Sequence, residues 1–258
     1  LEVLNIPKPW GHEGWYTGVE KRGVVNVIDE YGKTELPYAL SLFKKQLLAD
    51  YSTALILLKT LNPVGEDVVG DLYYEIHEEK WEVYVVTEID KTAWPSGTGI
   101  IKAGLHPDKI TEYQQNNAEN WSELLLKDFK QAIAEYENVR RQIDESTADI
   151  STELSAQELL LREKAAEFVG DCSVKVGDIV SFPVFQMHSL RHGIKVIEFQ
   201  TPHYERLIVM FAQKVLTQKH WDTADALSKM HPEVYQQPEL EKLHQSAGML
   251  AEGFVDFP

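Results

Sequence analysis

The alternation of hydrophobic and polar positions predicts two groups of short β-strands, one on each side of a helical middle section. The strand segments are rich in β-branched, aromatic and aliphatic residues, and Asn, Gly and Pro residues separate them, as is typical of strands joined by turns. The predicted strands are Thr53–Thr60, Leu72–His77, Glu82–Ile89, Gly99–Ala103, Val174–Pro183, Gly193–Gln200 and Tyr204–Phe211. The simplest arrangement of these strands is one antiparallel barrel with helices packed outside it.

The hydrophobic period changes to that of helices over residues of about 110–168. Hydrophobic residues recur there mostly three or four positions apart, with polar residues between them. They are Leu125, Phe129, Ile133, Tyr136 and Ile143. A later helix is predicted to begin at Ser155, because Glu158 supplies the partner of a capping box. We therefore expect a helical insertion between the two groups of strands.

The flanking regions carry other patterns. Residues 7–16 contain two prolines and two glycines, which disfavour a helix, so we interpret them as an arm or edge strand laid across a sheet. A short helix is predicted at 38–50, and a helical tail at about 217–258. The chain, 1–258, is thus interpreted as a single, mainly β domain with a helical insertion and a helical C-terminal tail.

Composition narrows the classes of function. The chain has 25 Lys and Arg against 41 Asp and Glu, a formal net charge of −16. This balance disfavours a nucleic-acid partner, because phosphate binding needs a basic surface. No apolar run approaches the length of about 18 residues that spans a membrane, so we expect no membrane partner. The single cysteine, Cys172, excludes an internal disulfide and suits a reducing compartment, which favours a cytoplasmic protein.

Two short segments together predict a metal site. Glu75 and His77 lie two residues apart, so on a strand both side chains point to the same face. Glu82 follows closely enough to return on the next strand of a hairpin, and His188 comes just after a later strand. Two imidazoles and two carboxylates form a mixed nitrogen and oxygen donor set that suits zinc, iron or manganese. These four residues are the predicted ligands of one divalent metal.

The spacing of these residues resembles the two motifs of the cupin superfamily, whose members are double-stranded β-helix, or jelly-roll, barrels. The matched positions are Glu75, His77 and Glu82 in the first motif, then Gly177, Pro183 and His188 in the second. Two positions depart from the second motif, because Phe185 replaces its second Gly and His192 stands at its usual Asn. The resemblance implies a cupin barrel with a bound metal.

Within the cupins, the chain resembles the metal-dependent phosphomannose isomerases in their short bacterial and archaeal form. The similar segments are Pro-Trp-Gly-His-Glu-Gly-Trp at 9–15, Lys-Trp-Glu-Val-Tyr-Val at 80–85, Gly-Ile-Ile-Lys-Ala-Gly at 99–104 and Gly-Ile-Lys-Val-Ile-Glu-Phe-Gln at 193–200. The first motif departs from that family, which usually has Gln-x-His-Pro where this chain has Glu75-x-His77-Glu78. The resemblance implies a metal-dependent aldose–ketose isomerase that acts on a hexose phosphate, as in the conversion of mannose 6-phosphate to fructose 6-phosphate.

Glu198, Arg206 and Lys102 are the candidate catalytic residues. On its strand Glu198 shares a face with Val196 and Gln200, so we expect its carboxylate to point inward and to serve as an acid/base near the metal. Arg206 and Lys102 are predicted to hold a phosphate or an anionic intermediate, with Arg favoured for bidentate contacts.

Alternatives stay open at this point. An isomerase of a free sugar such as lyxose fits the acidic net charge, and a non-catalytic cupin that binds a metal and a sugar fits the same motifs. Glu78 and Glu79 compete with Glu75 for the fourth ligand position. A carboxylate at position 75 should bind the metal more tightly than an amide but polarise a substrate less. The expected partner is a small sugar or sugar phosphate, and a homodimer is one assembly that the sequence allows.

Overall fold

The computed structural model describes residues 1–20, 23–42, 56–116 and 119–236 of the chain. Its strands, numbered in chain order, are β1 (Leu4–Lys8), β2 (Gly11–Trp15), β3 (Val19–Glu20), β4 (Gly23–Val24), β5 (Asn26–Asp29), β6 (Gly32–Glu35), β7 (Leu57–Pro63), β8 (Tyr74–Ile76), β9 (Glu82–Ile89), β10 (Gly99–Leu105), β11 (Val169–Val174), β12 (Ile179–Phe182), β13 (His188–Ser189), β14 (Ile194–Gln200) and β15 (Leu207–Met210). Its helices are α1 (Leu36–Ser41), α2 (Pro107–Asn116), α3 (Trp121–Glu145), α4 (Thr152–Ala166) and α5 (Thr223–Lys229).

The main strands form two antiparallel sheets. One has six strands in the order β1-β2-β7-β14-β9-β12, and the other has five in the order β11-β10-β13-β8-β15. Two small hairpins, β3-β4 and β5-β6, accompany them. Within the described residues both sheets are open, with β1 and β12 at the edges of the larger one, so the hydrogen bonding does not form the closed barrel that the pattern predicts. The expectation of a mainly β fold with a helical insertion is confirmed.

The inner face of the six-stranded sheet carries both hydrophobic and charged residues. In β7, β9 and β14, buried positions alternate with more exposed ones, the period expected of strands with one covered face. Tyr84, Val86 and Val196 from this sheet share one buried cluster with Ile76 and Ile101 from the five-stranded sheet. The two sheets therefore enclose a common core, and polar residues on their inner faces need partners between the sheets.

The helical insertion joins the two groups of strands and extends the same core. Leu125, Phe129, Ile133 and Tyr136 are buried along one side of α3, as the helical period predicts. Helix α4 begins one turn earlier than predicted, because its N-cap is Ser151, which accepts a hydrogen bond from the Leu154 amide, and not Ser155. The three residues after Ser151 are compatible with a helix, so the first available cap is used.

The predictions for the two ends of the chain are met in part. Residues 7–16 form the end of β1 and the whole of β2, which confirms an edge-strand arrangement. Of the helix predicted at 38–50, only the part up to residue 41 is seen as α1, and residues 43–50 lie outside the described part. Of the tail predicted at 217–258, the short helix α5 is described, and residues 237–258 lie outside. None of the described helices has the length and apolarity to cross a membrane.

Candidate metal centre

Strand pairing brings the four predicted metal ligands to one place between the sheets. In the five-stranded sheet, His188 of β13 lies directly opposite Glu75 of β8, and His77 follows β8 immediately. Glu82 begins β9 in the other sheet, where it pairs with Gln200 and Phe182. Residues from distant parts of the sequence are therefore held side by side by backbone hydrogen bonds of two sheets.

The side chains of this centre are buried and close together. Glu75, His77 and His188 each offer a ligand atom, and these atoms all lie within 4.8 Å of one another. Glu82 reaches both imidazoles, with Oε2 at 2.9 Å from His188 Nε2 and Oε1 at 3.5 Å from His77 Nε2. Glu75 is 8% exposed and the other three side chains are nearly inaccessible. The predicted ligand set thus forms one compact group.

Backbone carbonyls orient both imidazole rings. His77 Nδ1 lies 3.0 Å from the carbonyl oxygen of Glu205, and His188 Nδ1 lies 3.0 Å from that of Gln186. A carbonyl oxygen only accepts, so each Nδ1 carries a proton and each Nε2 faces the centre of the group. This is the tautomer in which neutral imidazole binds a metal through Nε2.

Two potential ligand atoms of this group make no hydrogen bond among the described residues. Glu75 Oε2 and His77 Nε2 are buried, and neither has a hydrogen bond within the part of the chain that the structure describes. A buried polar atom without a partner is destabilising by about 1–3 kcal/mol. Two such atoms, close to a second carboxylate and a second imidazole, fit a divalent cation, whose bonds would satisfy both.

Charges within the centre shift the pKa values of its members. Burial acts to raise the pKa of Glu82, but Lys80, whose ammonium pairs with its Oε1, and the two histidines hold the value well below the usual range. Burial also acts to raise the pKa of Glu75, and His77, Lys80 and Arg206 outweigh it, so that value is lowered. Both carboxylates are therefore ionised at neutral pH, as metal ligands must be.

The loop before His188 contains one departure from the cupin motif. Phe185 stands at the motif's second Gly, and its backbone takes the left-handed conformation, with φ of 62°. Glycine adopts this conformation freely, whereas another residue is destabilised by about 1–2 kcal/mol. The Phe185 amide donates to the carbonyl of His77 at 2.7 Å. The backbone geometry that suits Gly is thus present with Phe, and it joins the two histidine-bearing segments.

A cavity of about 410 Å³ lies against the centre. Its lining includes the predicted ligands Glu75 and Glu82, the candidate catalytic residues Glu198 and Arg206, and the aromatic residues Trp15, Tyr84 and Tyr204. Trp15 and Tyr204 stack with ring centroids 5.8 Å apart. The cavity is therefore large enough for a monosaccharide and combines polar groups with an aromatic wall, a combination common in small-molecule sites.

Glu198 is fully buried and lies on the wall formed by the six-stranded sheet. Lys59, opposite Glu198 on β7, places its ammonium at 3.1–3.2 Å from the two carboxylate oxygens. Burial and the negative charge of Glu82 nevertheless raise the pKa of Glu198 to about 8, against the opposing effect of Lys59. A carboxyl group that titrates near neutrality can both accept and return a proton.

Arg206 is the candidate for anion binding. Among the other cations that line the cavity, Lys8 pairs with Glu13, Lys59 with Glu198, and Lys80 with Glu82. Across the described residues, no carboxylate oxygen lies within 4.0 Å of the Arg206 guanidinium, which instead stacks on Tyr73 at 4.2 Å. Its positive charge therefore remains available to an anionic ligand.

Lys102 does not lie at this site, and its predicted role is not supported. On β10 the buried residues Ile101 and Ala103 face inward, with Ala103 paired to His188, so Lys102 points to the opposite face. There its ammonium forms an ion pair with Asp171. The side chain lines a separate cavity of about 190 Å³.

A second group of potential ligands lies elsewhere. Asp67, Asp71 and His192 have ligand atoms within 4.8 Å of one another. Asp71 already pairs with Arg191, and it accepts hydrogen bonds from the ring and the amide of His192. The His192 ring also stacks on Trp94, with centroids 5.0 Å apart. These partners satisfy the group, so we interpret it as structural.

Sequence reasoning missed Lys59 and Glu205 as members of the site. Lys59 had a recognisable signal, because it shares a strand face with Leu57 and Leu61 and is a charged residue in a hydrophobic row. Glu205 had none, since it precedes β15 and meets His77 only in the folded chain.

Comparison with known proteins gives matches by structure only. By sequence, no family model and no curated protein matches the chain. The mannose 6-phosphate isomerase of Bacillus subtilis aligns with a TM-score of 0.59 over 92% of this chain and 70% of that one, at 13% identity. A mutant phosphomannose isomerase of Salmonella typhimurium aligns with a TM-score of 0.59 over 90% and 74%, at 11% identity. A zinc-bound mannose 6-phosphate isomerase aligns with a TM-score of 0.56 over 86% and 67%, at 11% identity. The chain therefore has the fold of the phosphomannose isomerases, which confirms at the level of the fold the resemblance found in the motifs.

Proposed function

We propose that this protein is a metal-dependent aldose–ketose isomerase that acts on a hexose phosphate. The observation that carries the proposal is a buried two-His, two-Glu group whose two carboxylates line the same cavity as a carboxyl group of raised pKa and an arginine without a carboxylate partner among the described residues. The zinc-bound relative of the same fold supports zinc as the first metal to test, with manganese and iron as alternatives.

Glu75, His77, Glu82 and His188 would hold the cation. A divalent metal there supplies a Lewis acid that polarises a carbonyl group and stabilises negative charge developing on its oxygen. Two carboxylates and two neutral imidazoles balance the charge of the cation, so this donor set favours tight binding over strong polarisation.

The chain's own residues would move the protons and orient the sugar. Isomerisation takes a proton from C2 and returns it to C1, while a second proton passes between the two oxygens. Glu198 is the proposed acid/base for the carbon-bound proton, and Lys59 holds its carboxylate in place from the neighbouring strand. Arg206 would bind the phosphate, because no carboxylate oxygen of the described residues lies within 4.0 Å of its guanidinium. The stacked Trp15 and Tyr204 would close one wall around the sugar ring.

The test is turnover by the metal-loaded protein on paired substrates. Mannose 6-phosphate, free mannose and free lyxose are assayed in parallel, together with exchange of the C2 proton in heavy water. We expect turnover and exchange with the phosphorylated hexose, and loss of both in His188→Ala. Turnover of lyxose alone would instead assign a free-sugar isomerase. Sugar binding without C2 exchange would assign a non-catalytic protein and refute the proposal.

A further inference from the structure

Glu205 touches a predicted metal ligand with both its backbone and its side chain. The carbonyl oxygen of Glu205 accepts the Nδ1 proton of His77 at 3.0 Å. The carboxylate Oε2 lies 3.4 Å from the same nitrogen, and it has no hydrogen bond among the described residues. One residue therefore places two acceptor oxygens, one neutral and one charged, around the proton on the outer side of the imidazole.

The other carboxylate oxygen of Glu205 organises the segment between two ligands. Oε1 accepts hydrogen bonds from the backbone amides of Glu79 at 2.6 Å and Lys80 at 2.8 Å. These amides belong to the short connection that leads from His77 to Glu82. Lys80 links this connection to Glu82, because its ammonium pairs with Glu82 Oε1. A single carboxylate thus lies behind the ring of one predicted ligand and accepts hydrogen bonds from the chain that leads to the next.

The contact between Glu205 and His77 is partly shielded from solvent. The Glu205 side chain is 33% exposed, and the imidazole that it faces is 1% exposed. Solvent screens such a pair less than it screens an exposed ion pair. The neighbouring Glu79 offers a contrast, since its carboxylate is 67% exposed and faces His203, away from the centre.

We propose that Glu205 is a positioning residue of the metal centre: its carboxylate holds the His77 ring with Nε2 toward the cation and fixes the connection that presents Glu82. A carboxylate behind a ligating imidazole orients the ring and increases the basicity of the ligating nitrogen, and loss of such a partner typically weakens metal binding by roughly 10- to 100-fold. The inference rests on the metal centre of the proposed function and is independent of the sugar chemistry.

The experiment measures metal binding by the full-length protein. Protein stripped of metal is titrated with Zn²⁺ in competition with a chromophoric chelator, and the visible absorption of the Co²⁺ form reports the ligand geometry. Glu205→Ala removes both carboxylate contacts, and Glu205→Gln keeps an acceptor for the two amides but loses the charge. Glu79→Gln is the matched control, because it removes a neighbouring charge that does not touch the centre.

We expect Glu205→Ala to bind Zn²⁺ roughly 10- to 100-fold more weakly and to change the Co²⁺ spectrum. Glu205→Gln should recover part of the affinity, and it replaces the alanine variant in the test if that variant does not fold. Glu79→Gln should match the wild type. Wild-type affinity and an unchanged Co²⁺ spectrum in Glu205→Ala would overturn the inference, as would equal weakening by Glu79→Gln. If Glu205→Ala weakens binding while the wild type turns over no sugar, only the isomerase proposal falls.

Discussion

Removal of His188 should abolish the stabilisation of the protein by metal. In the part of the chain that the structure describes, two buried ligand atoms, Glu75 Oε2 and His77 Nε2, lack hydrogen-bond partners. Each unpartnered atom destabilises the native state by roughly 1–3 kcal/mol, so a cation that binds both can stabilise it by about 2–6 kcal/mol. Mass action gives a comparable figure, since a ligand at about 100 times its Kd stabilises the native state by about 2.7 kcal/mol. For a domain of this size, a stabilisation of about 2.7 kcal/mol corresponds to an increase in Tm of roughly 5–11 °C.

The assay is thermal unfolding of wild-type and His188→Ala protein, each with excess Zn²⁺ and with a chelator. The measured quantity is the metal-dependent change in Tm, because His188 also donates a hydrogen bond to the Gln186 carbonyl and packs in the core, so its loss lowers Tm under both conditions. The matched control is His192→Ala, which removes another histidine with a carboxylate partner but lies outside the centre. We expect the full shift in wild type and His192→Ala, and a shift near zero in His188→Ala. An equal shift in all three proteins would refute the assignment of the metal to this centre.

Three further predictions concern the cavity and the core. Arg206→Ala should lower kcat/KM for a sugar phosphate, measured in steady-state assays, by roughly 10- to 150-fold, which is the equivalent of one charged hydrogen bond. The control Lys102→Ala removes a cation outside the cavity and should leave kcat/KM unchanged. Glu198→Gln should lower kcat by roughly 10²- to 10⁴-fold. Because a base acts in its ionised form and the pKa of Glu198 is about 8, the wild-type rate should fall as the pH drops below about 8. The variant should not show this fall in rate. Phe129→Ala should reduce the free energy of unfolding in urea by roughly 3–5 kcal/mol, since the ring is fully buried against Phe168, without changing the metal-dependent shift in Tm.

Local patterns in the sequence determined the elements and several of the site residues. A period of two identifies residues on one face of a strand, so Glu75 and His77, and likewise Glu198 and Gln200, could be grouped from their spacing alone. A period near 3.6 identified the buried side of α3 in the same way. Such patterns depend only on the geometry of one segment, and they remain valid whatever the segment packs against.

The tertiary structure decided which faces meet and how the strands divide between sheets. Strand periodicity shows that Lys102 lies on the face opposite Ala103, but it does not show which of the two faces the ligands; the pairing of Ala103 with His188 decides this. The division of the strands into two open sheets depends on long-range pairing, for which the segments carry no local signal.

The candidate metal centre depends both on the local sequence and on the fold. The sequence by itself specified the donor types and placed Glu75, His77 and Glu82 near one another, because they lie within a few residues. Only the fold set His188 opposite Glu75, buried the group and left two of its ligand atoms without partners among the described residues. Only the fold brought Glu205 behind His77, because that contact joins segments far apart in the chain. The chemistry of the ligands is local, whereas their burial, orientation and charge environment arise from the packing of two sheets against each other.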